Sequence, residues 1–225
     1  MADKEYDYEL IDNEHDARCC AQLLADEFAA HNPITVFDRI SSQRFYHECA
    51  WPLTNEVLDE RMSFLVRHRS SNEIVGAALA GDLYLQHQKK CLRDTSNQLH
   101  TIPVDDLLDE MDTQFIAHDF DHELRPNIVL HISLCAVHAQ HSGRGVASRL
   151  RTALCDYARD RKQYQFVLVQ VTNPVTRHIF VDKMGGRETS VVDPTTWTWK
   201  KHGDGSSRPY KDYQGGSIPN ILIRL

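Results

Sequence analysis

No run in these 225 residues approaches the roughly 18–20 apolar residues that a membrane-spanning helix requires, so a helical membrane protein is not expected. The segment from Met1 to Leu10 is acidic and lacks the basic-then-apolar layout of a secretory leader, which points to the cytoplasm. Positive charge is in deficit, 25 Lys+Arg against 32 Asp+Glu. The resulting net of −7 disfavours a nucleic-acid binder that works through phosphate contacts. The six cysteines, Cys19, Cys20, Cys49, Cys91, Cys135 and Cys155, include no Cys-x-x-Cys pair. They read as reduced thiols and small buried side chains rather than a disulfide frame. Cys19 and Cys20 are adjacent, so on a helix they point about 100° apart and make a poor pair of metal ligands. Internal repeats and low-complexity segments are missing too, and the length suits one domain over residues 1–225.

The charge that is present falls unevenly. Residues 1–140 hold 11 basic and 25 acidic side chains, a net of −14, whereas residues 141–225 hold 14 and 7, a net of +7. Eight of the acids lie in residues 101–123, where there is no Lys or Arg. Two readings stand: a solvated acidic face beside a basic half, or one pole for a cation and another for an anion.

Tyr6–Ile11 reads as a short strand, and the Asp/Asn/Glu cluster after it suits a helix start. Ala17, Cys20, Leu24 and Phe28 then recur at helical spacing up to Asn32-Pro33. A second helix is expected within Phe37–Ala50, ahead of Trp51-Pro52, and Met62–His68 and Glu73–Leu85 suggest a hairpin about Ser70-Ser71-Asn72. In the acidic segment Val104, Leu107, Leu108, Met111 and Phe115 share one face, which makes the insert an amphipathic helix. Ile128–Val137 and Gln165–Val171 read as strands joined by a helix over Val146–Arg159, an order that implies parallel pairing through a crossover. Pro174–Met184 is a short helix ending at Gly185-Gly186, and Trp197-Thr198-Trp199 and Ile218–Leu225 read as two further strands. Together these elements make a mixed α/β (α+β) fold.

The most informative stretch is the loop between strand 128–137 and helix 146–159. Gly143 and Gly145 let the backbone approach a ligand closely, and the N–H groups at the helix start attract anions. Without a ligand the same residues make a tight strand-to-helix turn. A P-loop is excluded, because no Gly-Lys-Ser/Thr occurs here. A dinucleotide fingerprint also fails. Five residues part Val137 from Gly143, Ser148 stands where the third glycine belongs, and Lys162-Gln163-Tyr164 offers no acid. Gln140-x-x-Gly143-x-Gly145-x-Ala147 instead resembles the acetyl-CoA pyrophosphate loop, Gln/Arg-x-x-Gly-x-Gly/Ala, of the GNAT superfamily of N-acetyltransferases. Asn173 after the next strand and Lys183-Met184-Gly185 at the end of the next helix are similar to that superfamily's Asn and its Lys-Leu-Gly-Phe ending, with Gly186 in place of Phe.

The resemblance carries its specific motifs within 131–186 and its order of elements over roughly 6–225. It implies a GNAT-like twisted mixed sheet of about six to seven strands, splayed at its central parallel pair and flanked by helices. It divides the chain into an acceptor-side half (1–127, with the insert at 101–123), an acetyl-CoA-binding core (128–186) and C-terminal strands (187–225). Acetyl-CoA is the implied cosubstrate. The backbone of Cys135 and Val137 would hold its pantetheine arm, and Gln140, Gly143, Arg144, Gly145, Val146 and Ala147 its pyrophosphate, with Asn173 alongside. Arg144, Arg149 and Arg151 offer charge for the phosphates, though solvated helix surface is a plainer reading of Arg151 than of Arg144. Phe28-Ala-Ala-His-Asn32-Pro33-Ile34, the long insert and Tyr210-Lys-Asp-Tyr213 make the chain most similar to the arylalkylamine N-acetyltransferase group.

An amine with pKa near 10 is mostly protonated at pH 7, so a base must act directly or through water before it can attack. In the strand, Leu130, Ile132 and Leu134 alternate with His131, Ser133 and Cys135, which puts the polar three on one face. Vertebrate members of the group carry His-x-His-x-Leu-Ala-Val-His here, and their first two histidines serve a water-linked proton relay. This chain has His131-Ile-Ser133-Leu-Cys135-Ala-Val-His138. The resemblance thus makes His131 the candidate catalytic base and Ser133 a holder of water, with a structural, hydrogen-bonded role as the alternative for His131. Asn32 replaces the Glu of the insect enzymes' Asp-Glu-Pro-Leu, and His31 and the acidic insert are lesser candidates. Val181 stands where a tyrosine general acid is common, so no acid is assigned.

The expected activity is transfer of acetyl to the primary amine of a small molecule, arylalkylamine or polyamine-like, by direct attack, in a monomer or homodimer. Phe115 and Phe120 are available for packing or cation–π contact with it. Protein N-termini, lysines and aminoglycosides are alternative acceptors, and a weakly catalytic acyl-CoA-binding module is the alternative to an acetyltransferase. No metal is expected, since His118-x-x-x-His122 lacks a third ligand at suitable spacing.

Overall fold

In the computed structural model, which describes residues 4–93 and 102–225, seven strands form one sheet. Residues 1–3 and Thr101, the first residue of the acidic insert, lie outside the described residues. The strands are β1 (Tyr6–Leu10), β2 (Phe64–His68), β3 (Ile74–Asp82), β4 (Val129–Val137), β5 (Phe166–Gln170), β6 (Arg187–Val192) and β7 (Ile218–Arg224). The helices are α1 (Glu14–His31), α2 (Pro33–Phe37), α3 (Ser42–Phe45), α4 (Trp51–Val57), α5 (Leu83–Arg93), α6 (Pro103–Gln114), α7 (Val146–Lys162) and α8 (Pro174–His178). The sheet runs β1-β2-β3-β4-β5-β7-β6, antiparallel throughout except at β4–β5, where α7 makes the crossover that the element order implies.

Local chemistry explains most of the boundaries. The Asn13 side chain accepts from the Asp16 N–H (2.9 Å) to start α1, and Asn32 ends it before Pro33. The small buried residues Ala17, Cys20, Ala21 and Ala25 let α1 lie close on the sheet. The helix expected to stop before Trp51-Pro52 continues past it. Tyr46–Ala50 widens into a π turn, in which Trp51 N–H bonds the Tyr46 carbonyl, and this widening accommodates the missing donor of Pro52 at the start of α4. β3 stops at Asp82 instead of Leu85, because the Asp82 carboxylate accepts from Tyr84 N–H (2.8 Å) and Leu85 N–H (3.3 Å) and starts α5.

The two faces of the sheet bury separate clusters. α1, α3 and α6 pack on one face, where Leu24, Phe45, Leu107 and Met111 meet Leu65, Leu79 and Leu134. α7 covers the other with Leu150, Leu154 and Ala158 against Val66, Leu130 and Val167. Trp197 and Trp199 form no strand: they sit in the connection between β6 and β7 and are buried against α6. β6, which precedes them, is the edge strand beside β7.

Candidate active site

β4 and β5 pair only over Val129–His131 and Phe166–Leu168, and beyond that they part. On its other edge β4 carries a bulge. Leu79 pairs with Leu134 and Ala80 with Ile132, so Ser133 is the inserted residue. The bulge overturns the expected alternation. Leu130 and Ile132 pack on the α7 face, yet after the bulge Cys135 and Val137 occupy that face while Leu134 turns to the α1 face. Between the parted strands lies a cavity of about 520 Å³, lined by β4 from Ile132 to Val137, by Val169 to Asn173, and by the ends of α1, α6 and α7.

One end of this cavity suits a polyphosphate thioester. Gly143 and Gly145 have φ of +75° and +77°, a region that glycine enters without strain, and a Cβ at Gly143 would meet nothing within 4 Å. α7 begins at Gly145 without a side-chain cap, so its first N–H groups are free to meet an anion. Of the sequence-predicted residues, Ser133, Cys135, Val137, Ala147 and Asn173 line the cavity together. The Asn173 side chain also caps α8 by accepting from Val175 N–H (2.9 Å). Gly143, Arg144 and Gly145 are exposed in the loop, and the Val146 side chain is buried beneath the helix. Gln140 lines a neighbouring recess with His138 and His141 instead.

The other end is apolar with few charges. Phe28, Ile34, Phe45, Val104 and Leu108 wall it, and Asp105 of α6 faces it. Burial, with Asp109, Asp106 and Glu48 nearby, pushes the Asp105 carboxyl up to about 7 against the pull of Lys90. Its side chain has no hydrogen-bond or ion-pair partner among the described residues. The rest of α6 does not form the open acidic pole that the charge count suggested. Asp106 accepts from Trp199 Nε1 (2.5 Å) and meets Lys201 (3.2 Å), and Glu110 accepts from Trp197 Nε1 (3.1 Å) and meets Lys200 (3.5 Å). Lys90 bridges Asp109 (2.5 Å) and Asp112 (2.7 Å). Phe115 and Phe120 are buried in a third cluster with Leu83 and Leu168 and do not reach the cavity. Asn32 holds the α1–α2 corner to the opposite wall by donating to Thr172 Oγ1 (2.8 Å).

His131 is 6% exposed and does not line the cavity. Gln170, which does, donates from Nε2 to Asp112 Oδ1 (2.6 Å), leaving its Oε1 to accept from His131 Nε2 (2.8 Å). Gln86 closes the other side, with its Oε1 2.8 Å from Nδ1. The Gln86 Nε2 has no hydrogen-bond partner among the described residues. Burial pushes the Asp112 carboxyl up, but His131 and Lys90, together with the hydrogen bonds from Lys90 and Gln170, outweigh it and hold the group below the usual carboxylate range. A second correction concerns Arg151. It is not solvated helix surface but 3% exposed and part of the cavity wall. Asp105 was not singled out from sequence, and Arg151 was offered there only as one of three arginines near the phosphate loop, since each looks like one more charge on an amphipathic helix.

The sequence pattern of the acetyltransferase (GNAT) family matches residues 20–185. No curated protein sequence matches the chain. Among solved structures it is similar to the C-terminal condensation domain of Ebony in complex with beta-alanyl-dopamine, at 14% identity and TM-score 0.78, over 98% of this chain and 99% of that one. It is also similar to a mosquito arylalkylamine N-acetyltransferase like 5b, at 11% identity and TM-score 0.74, over 98% and 100% of the two chains. An agmatine N-acetyltransferase matches at 17% identity and TM-score 0.72, again over 98% and 100%. At such identities the likeness speaks for the fold, and it is the family pattern spanning the cleft-forming elements from α1 to the end of the turn after α8 that places the protein: the chain belongs to the acetyltransferase (GNAT) family.

Proposed function

We propose that the protein transfers acetyl from acetyl-CoA to the primary amine of a small molecule with an apolar, arylalkyl-type body. The observation that carries this reading is the two-ended cavity, with glycine-loop amides and an uncapped helix start at one end and an apolar pocket with one unpaired carboxylate at the other. In this reading residues 128–186 receive the donor, residues 1–127 the acceptor, and residues 187–225 close the sheet and brace α6. The whole of 1–225 thus acts as one domain. The apolar wall favours an arylalkylamine over a polyamine, whose second charge would find no partner there.

Acetyl-CoA supplies an activated acyl carbon as a thioester. The backbone of Cys135 and Val137 lies along its pantetheine arm, the amides of Gly143, Arg144, Gly145, Val146 and Ala147 meet its pyrophosphate, Gln140 flanks the loop, and Asn173 faces the arm from the opposite wall. Asp105 draws the ammonium form of the acceptor into the apolar end and takes its proton, leaving a neutral nitrogen to attack. Ser133, on the bulge, holds a water between acceptor and wall. His131 acts from behind by fixing Gln170 at the cavity wall.

Calorimetry with acetyl-CoA at about 100 μM, within the usual range of substrate affinities, is the first test, and no heat of binding would sink the reading. A turnover screen of tryptamine, tyramine, spermidine, aminoglycosides and short peptides then identifies the acceptor. Release of free thiol with tryptamine or tyramine but not with the others is expected. Two pH profiles separate the base from the positioning residue. Asp105→Asn is expected to lose the acid limb of kcat/KM, whereas His131→Gln keeps it. The reverse pattern would return the base to His131.

A further inference from the structure

The cleft wall carries a positive charge that no carboxylate answers among the described residues. Arg151 stands on the second turn of α7 and faces the cavity, 3% exposed. Its Nη1 donates to the Ala147 carbonyl (3.2 Å), and the guanidinium lies over the Phe180 ring at 5.0 Å. Its buried Nε has no hydrogen-bond partner, and no carboxylate pairs with the group among the described residues. Taking a cation out of water without a counter-charge is strongly unfavourable, and an apolar side chain of like volume usually serves a buried position better. Such a charge, aimed into a ligand cavity, fits a ligand that completes it.

We propose that Arg151 is an anion subsite inside the cleft that receives an anionic oxygen carried by the thioester donor. The proposal rests on the acetyl-CoA reading and adds to it a contact beyond the loop amides. The side chain reaches back along α7 to Ala147, whose N–H is offered to the pyrophosphate. Its charge is also felt on the β4 side of the cavity, where burial pushes the Cys135 thiol up and Arg151 pulls against it. The guanidinium therefore stands at the cavity wall beside the start of α7 and within electrostatic reach of β4. Two anionic groups suit its planar fork there: a pyrophosphate oxygen of CoA, or a carboxylate at the far end of a dicarboxylic acyl group.

Calorimetry of the wild type, Arg151→Met and Arg151→Lys with acetyl-CoA, succinyl-CoA and S-acetylpantetheine decides the matter, since the last probe has no phosphate. If the pyrophosphate is the partner, Arg151→Met weakens both CoA thioesters about 30-fold or more and leaves S-acetylpantetheine unchanged. If an acyl carboxylate is the partner, the wild type prefers succinyl-CoA to acetyl-CoA and Arg151→Met removes that preference. Arg151→Lys recovers part of the loss in either case. Equal affinities of wild type and Arg151→Met for all three probes overturn the proposal. So does an equal loss for acetyl-CoA and S-acetylpantetheine, because the guanidinium would then serve a neutral part of the arm. Wild-type protein that binds none of the three overturns the acetyl-CoA reading, and the subsite with it. Ligand-free Arg151→Met is expected to melt no lower than the wild type. Should it fold poorly, Arg151→Gln, which also removes the charge, carries the same comparison.

Discussion

Asp105 and Arg151 face one cleft with opposite charges, and neither has an ion-pair partner among the described residues. For Asp105 the consequence is a pH dependence whose sign follows from its raised pKa. Its carboxylate predominates only above about 7, so the wild-type rate rises as pH passes upward through that value. Asp105→Asn is expected to flatten that limb and lower kcat/KM about 100-fold, measured by thiol release. The same shift is a stability statement. The folded-state value lies above the unfolded one near 3.9, so the stability due to the bound proton is full below about 4 and is lost as pH rises through about 7. Asp105→Asn should therefore raise the melting temperature at pH 8 and leave it nearly unchanged at pH 4. At Gly186 the reason is steric: a Cβ there would stand 2.6 Å from Ile221 Cγ2 and 2.8 Å from the Phe180 carbonyl. Gly186→Ala is expected to destabilise by about 1–3 kcal/mol in denaturant titration.

At the scale of elements, the pairing of a bulged strand with an uncapped helix builds the cleft. The bulge at Ser133 reverses the facing of β4 midway, so Leu134 joins the α1 core while Cys135 and Val137 line the cavity from the α7 face. The start of α7 depends on Gly145 holding φ at +77°. Gly145→Asp strains that turn and sets a carboxylate where phosphate is expected, so acetyl-CoA affinity should fall about 100-fold or more by calorimetry. α1, the β2–β3 hairpin, the acidic helix and the β4–α7–β5 crossover were legible because each has a strong period or cap. α5 was missed, because the signal for its start is a single Asp82 that sequence reading assigns to the strand. The π turn before Trp51 was equally hidden, since proline normally marks a helix end and only the widened turn lets this one continue.

For the whole molecule, the division into a −14 half and a +7 half promised an acidic pole open to solvent. Folding pairs four of the insert's eight acids internally, as α6 is pinned by Lys90, Lys200, Lys201 and the two indoles of the β6–β7 connection. Long-range steering of a cationic acceptor should therefore be weak. Raising NaCl from about 0.05 to about 0.5 M shortens the screening length severalfold, yet the KM for the amine is expected to change less than about threefold. A steep rise in KM would mean that the exposed acids do the attracting. Sequence by itself determined the class of fold, the order of its elements and the glycine turn ahead of α7, because periodicity, caps and glycine spacing act within a few residues of one another. Only the tertiary structure decided which charges reach the cleft. It set His131 behind Gln170, buried Phe115 and Phe120, and left Asp105 and Arg151 facing the cavity, because burial and pairing depend on partners dozens of residues away in the chain.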